Sequence, residues 1–229
     1  MTDTLMFIVF PYLAVTLAIF GSLVRHFYRR SGFSSLPSEM LENGSLFWGA
    51  LPWYYGIIPI LIIHLMGFTI PGVMAVLHGN INMLYLAELF GKVVTLLALF
   101  GIIAFILRRF THAGLRLLTT PLDWLVLVLL LNQVSLGLWT SYFYRWGAVW
   151  FLQTVTPWVV SLATFHPEIE TVTALPLIPR LHFLNATLLI ALFPFTRLVH
   201  MLTYPITYLW RRYQDFVRDR RATHKRASQ

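Results

Sequence analysis

The chain has 229 residues, 58% of them hydrophobic and only 11% charged, less than half the charge of an ordinary water-soluble domain, which excludes a soluble fold. Its net charge of +8 does not point to nucleic acid, because the basic residues gather at the ends of apolar stretches. With no cysteine, covalent c-type haem attachment, thiolate-held iron-sulfur clusters and disulfides are excluded within the chain itself.

In chain order, the first apolar stretch runs from about Leu5 to Val24, preceded by Asp3 and by no basic residue, and does not read as a cleaved signal peptide. The second runs from about Phe47 to Val73, the third from about Leu84 to Leu107, the fourth from about Trp124 to Tyr144 and the fifth from about Leu181 to Trp210. Each reaches or exceeds the roughly 20 residues that one helix needs to cross a bilayer. Arg25, Arg29 and Arg30 follow the first, Arg108, Arg109 and Arg116 follow the third, and seven basic residues from Arg211 to Arg226 follow the fifth. The opposite ends receive little beyond Arg145 and Arg180. By the positive-inside rule the expectation is an all-α membrane bundle of five transmembrane helices, amino terminus outside and carboxyl terminus cytoplasmic. The stretch from Trp146 to Pro167 is also uncharged, but a crossing there would move the basic tail outside. With Pro157 and the tryptophans Trp146, Trp150 and Trp158 it is expected to lie at the outer interface. The bundle should occupy residues 1–215, and residues 216–229 form a basic cytoplasmic tail.

Three histidines fall inside predicted spans: His64 in the second, His182 at the outer start of the fifth, and His200 deeper in the fifth. His182 and His200 are 18 residues apart, which in one continuous helix is five turns and roughly 27 Å on one face. Span two runs from inside to outside, so His64 should lie in its outer half at a depth near that of His182. A single intramembrane histidine can simply bond to a neighbouring helix. A depth-matched pair with a third imidazole below it fits non-covalent haem better, because neutral imidazoles from two neighbouring helices hold a six-coordinate b-type haem. Arg180 and Arg197 each stand two or three residues before a histidine, where a cation can pair with a haem propionate or reach for the interface.

The fifth span resembles a known family. Arg180-Leu181-His182, the run Leu192-Phe193-Pro194-Phe195-Thr196-Arg197-Leu198-Val199-His200, then Pro205 and Tyr208-Leu209-Trp210-Arg211-Arg212-Tyr213-Gln214 closely resemble the gamma subunit of respiratory nitrate reductases. Met40-Leu41-Glu42, Thr119 and Thr120, and Val160 to His166 also look like family positions, so the resemblance covers nearly the whole chain. It implies a subunit of the prokaryotic inner membrane with two b haems, oxidising quinol from the quinone pool at the outer side. Electrons would pass inward to an iron-sulfur beta subunit, and a molybdopterin-containing alpha subunit would reduce nitrate. His64 and His182 match the ligands of the outer haem, and His200 matches one ligand of the inner haem.

Two positions depart from that pattern. Where the family places the second inner ligand, ten residues before His64, this chain has Tyr54; Tyr54 ligates, the inner haem is five-coordinate on His200, or the inner haem is missing. The lysine expected between spans two and three is absent around Met83 to Tyr85, and Glu88 and Lys92 lie one turn on. They form either an i, i+4 salt bridge or a quinol-binding acid and base. These departures also admit another respiratory oxidoreductase as partner, one exchanging electrons with an outer cytochrome. A transporter or a haem-free anchor is the reading from a different class.

Overall fold

The computed structural model describes residues 1–28, 43–144 and 146–196. Five helical segments are long and apolar enough to cross a membrane: Thr2–Arg25, Trp48–Thr69, Ile81–Thr111, Pro121–Phe143 and Leu177–Phe195. Among the described residues there is no β-strand. Helix α1 (Phe10–Tyr28) continues a π-helical turn at Leu5–Val9. It is followed by α2 (Asn43–Thr69), α3 (Pro71–His78), α4 (Ile81–Thr111), α5 (Ala113–Leu118), α6 (Pro121–Phe143), α7 (Thr156–Ala163) and α8 (Leu177–Leu192).

Local chemistry sets the boundaries. The stretch expected to continue to Val73 leaves the helix after Thr69, because Pro71 pushes the preceding residue out of helical space and Ile70 sits at φ −132°, ψ 54°. Asn80 starts α4 by accepting from the backbone N–H groups of Asn82 and Met83. Thr120 starts α6 in a capping box with Asp123, followed by Pro121 in the first turn.

The helices pack in the order α2, α4, α6, α8, α1, and α2 makes no extensive contact with α8 or α1. The tightest seam joins α2 to α4. A Cβ at Gly56 would come within 2.4 Å of the Ala98 backbone nitrogen, and one at Gly101 within 2.5 Å of the Trp53 nitrogen, so only glycine allows these two backbones to approach so closely. Trp53, Ala98, Ile102, Val126, Leu127, Leu130 and Val134 form the buried cluster around that seam.

The segment between α6 and α8 closes the open side at the end where the chain begins. Its apolar helical part, Phe151–Ala163, is about 20 Å long at 1.5 Å per residue, short of a bilayer crossing. It is fastened to α1 and α2 by three long-range hydrogen bonds. Thr156 Oγ1 donates to the Gly67 carbonyl at 3.0 Å, Trp158 Nε1 to the Phe7 carbonyl at 2.9 Å, and the Tyr12 hydroxyl to the Leu162 carbonyl at 2.9 Å.

The fifth helix does not continue unbroken. After α8 a 3-10 turn at Phe193–Phe195 leads to Thr196 in extended geometry, φ −113°, ψ 171°. Pro194 supplies no backbone N–H, and Arg25 Nη1 donates to the carbonyls of Pro194 and Thr196 at 2.8 and 2.9 Å. The five-turn spacing from His182 to His200 presumes one continuous helix, and His200 lies beyond this break, outside the described residues.

Candidate functional site

His64 projects from α2 and His182 from α8, two helices that share no extensive contact. His64 Nδ1 lies 2.8 Å from the carbonyl of Ile60 one turn earlier. A carbonyl only accepts, so Nδ1 carries the proton and Nε2 keeps its lone pair. The edge of Phe151 packs on the His64 ring, centroids 5.6 Å apart. Trp158 stacks at 6.0 Å on Phe183, the neighbour of His182. The segment that closes the bundle thus packs beside both histidines.

The orientation of His182 is set by a chain of carboxamides inside the α6–α8 seam. Asn185 Nδ2 donates to the Leu129 carbonyl at 3.0 Å and to Gln133 Oε1 at 2.7 Å. The Leu129 contact fixes which end of each amide is which, since that carbonyl has no hydrogen to give. Gln133 therefore turns its Nε2 to His182 Nε2, 3.2 Å away, and Asn185 Oδ1 accepts from Asn132 Nδ2 at 3.3 Å. His182 Nε2 is the unprotonated nitrogen, and its buried Nδ1 has no hydrogen-bond partner. Gly137 makes room for the ring, because a Cβ there would stand 3.1 Å from His182 Cε1. Sequence reading missed Asn132, Gln133, Gly137 and Asn185. The available signal was three carboxamides within two apolar spans, where polar side chains are costly and need partners.

Two neutral imidazoles from separate helices, each with an unprotonated Nε2, suit the axial donor set of a b-type haem. His64 Nε2 is unencumbered by any protein donor in the hydrogen bonds of the site, whereas the lone pair of His182 Nε2 accepts from the Gln133 amide, a neutral bond that ligation of iron would have to replace.

The remaining predicted residues fall as follows. Glu88 and Lys92 form the i, i+4 ion pair, Oε2 to Nζ 3.7 Å. Arg180 pairs with Asp3 and lies over the Phe7 ring, 5.4 Å from its centroid, so its guanidinium ties the start of the chain to α8. Tyr54 packs against the buried cluster at the α2–α4 seam. Arg197 and His200 lie outside the described residues.

A set of five long apolar helices closed at one end by a shorter apolar segment defines a multi-pass membrane protein. The profile of the nitrate reductase gamma subunit family matches residues 3–220, and the chain belongs to that family. It is 32% identical over 219 residues to the respiratory nitrate reductase 2 gamma chain of Escherichia coli strain K12, covering 93% of this chain and 95% of that one. It is 29% identical over 216 residues to the nitrate reductase gamma chain of Bacillus subtilis strain 168, covering 93% and 97%. A nitrate reductase-like protein of Mycobacterium tuberculosis is 28% identical over 225 residues, matched along 33% of its length. Family and fold together make this a multi-pass protein of the bacterial inner membrane. It is an electron-transport subunit of cytochrome b type in a nitrate reductase, associated with the other subunits of that complex rather than the catalytic one.

Proposed function

We propose that the protein oxidises quinol at the outer face of the membrane and passes the electrons through b-type haem to an iron-sulfur beta subunit. A molybdopterin-containing alpha subunit would then reduce nitrate on the cytoplasmic side, with the amino terminus of this chain outside and its carboxyl terminus inside. The observation that carries this reading is the placement of His64 and His182 on two helices that share no extensive contact, with the closing segment packed on His64 through Phe151 and on Phe183, the neighbour of His182, through Trp158. These two residues would hold the outer haem. His200 would hold the inner haem, with Tyr54 as its second ligand, and Arg180 and Arg197 would serve the propionates.

When bound, the haem supplies one-electron redox chemistry across the apolar layer. The protein's own residues do the rest. Ile60 holds the tautomer of His64, Gln133 occupies His182 Nε2 until a ligand takes its place, Gly137 leaves room for the His182 ring, and the Phe151–Ala163 segment covers that end of the bundle. Glu88 and Lys92 are proposed to bind quinol and take up its proton, the ion pair being the resting arrangement.

The haem-to-protein ratio of the purified full-length chain, with its reduced-minus-oxidised spectrum, tests this. Two b haems per chain are expected, falling to one in both His64→Ala and His182→Ala. A wild-type chain without b-haem bands overturns the proposal. Glu88→Gln is expected to slow quinol-driven haem reduction about tenfold while dithionite reduction is unchanged; equal quinol rates would remove Glu88 from the site.

A further inference from the structure

A groove of about 470 Å³, open to the surroundings, lies between the start of the chain, α6 and α8. Its walls are apolar, with Phe10, Leu136, Leu184 and Leu188 among them, and two of its lining residues are the carboxamides Asn132 and Asn185. Asn132 is the twelfth residue of the 23-residue α6, about 17 Å from either helix end, and it is exposed. Its Nδ2 is committed to Asn185, while its Oδ1 accepts from no described residue. An exposed amide acceptor at that depth is beyond the reach of water and of lipid headgroups, and hydrocarbon cannot satisfy it.

We propose that this groove binds the ring of a quinol, with Asn132 Oδ1 accepting a hydrogen bond from one ring hydroxyl. The inference rests on the quinol-oxidising reading above and adds a ring site on α6 and α8, separate from Glu88 and Lys92 on α4. Three features select this occupant. The volume suits one substituted ring and the root of its side chain. The lipid-facing opening lets an isoprenoid tail stay in hydrocarbon. The acceptor needs a partner that carries its own hydroxyl into the membrane, which an acyl chain lacks. Asn132 also begins the chain of amides through Asn185 to Gln133, so a ring held there is linked by hydrogen bonds to a side chain that stands beside His182.

An azido-ubiquinone photoprobe added to the full-length protein in nanodiscs tests this, with labelled peptides mapped by mass spectrometry and the haem-to-protein ratio measured on the same samples. Label is expected on peptides spanning residues 129–137 and 181–188. It should fall about tenfold in Asn132→Leu, which removes the acceptor, and comparably in Leu136→Trp, which fills the groove and keeps Asn132. Both substitutions sit on the lipid-facing groove wall, and haem content should match the wild type. The proposal is overturned if those peptides stay unlabelled, if neither variant lowers the label, or if added phospholipid alone displaces the probe. Crosslinks between two copies through the same peptides would overturn it in favour of a dimer surface. Absence of haem from a wild-type protein that still labels in the groove would defeat the electron-carrier reading and leave the ring site standing. Normal haem with no groove label would do the reverse.

Discussion

The α2–α4 seam and the α6–α8 seam join helices of similar apolarity by different physics. The first relies on glycine: Gly56 and Gly101 let two backbones come together, and the buried cluster around them is hydrophobic. The second relies on polarity, with Asn132, Asn185 and Gln133 bonding across it to one another and to His182. In a bilayer, lipid is as apolar as leucine, so helices gain little merely by burying apolar surface against each other. Close packing and hydrogen bonding remain, and this bundle uses each in a different place. The packed seam holds helices together; the polar seam also aims a side chain.

That contrast can be broken experimentally. Gly101→Leu should have the largest effect, since a Cβ there collides with the Trp53 backbone rather than with a movable side chain. A loss of about 3 kcal/mol is expected, read as a lowered midpoint of thermal unfolding of the purified protein; an unchanged midpoint would show that the seam is not close-packed. Asn185→Leu should cost about 1.5 kcal/mol, because it strips partners from Asn132 and Gln133 at once. Unlike Gly101→Leu, it should also shift the spectrum of the haem held by His182. Gln133→Leu should do least to stability, about 0.6 kcal/mol, because it removes a single neutral contact to the ring. Its signature is a changed haem midpoint potential with haem content retained. A glutamine variant indistinguishable from wild type in potential would reduce the polar seam to simple adhesion.

The site was partly legible before any fold was known. His64 and His182 stood out because imidazoles in uncharged stretches are rare, and the direction of the chain through the membrane put them at similar depth. The three carboxamides stood out less, since each alone reads as a tolerated polar residue within an apolar helix. Only their convergence on His182 gives them a role. Thr120 illustrates the same limit: it matched a family position, yet its contribution is local, as the cap that starts α6 with Asp123. The break at Pro194–Thr196 was visible as a proline but not as an interruption, because prolines are tolerated within membrane helices such as α2, which contains Pro52 and Pro59.

The sequence by itself determined the medium and the segments that cross it, because the cost of putting charge into hydrocarbon is large enough to be read from composition alone. It also determined which residue types were out of place there. The tertiary structure decided which helices are neighbours, that α2 and α8 share no extensive packing, and that the amide chain ends on His182. The physical reason is that helices apolar on nearly every face carry no amphipathic stripe to say which side turns inward. Their arrangement comes from glycine contacts and single hydrogen bonds whose partners lie up to 177 positions apart in the chain, and such pairings exist only once the helices are assembled.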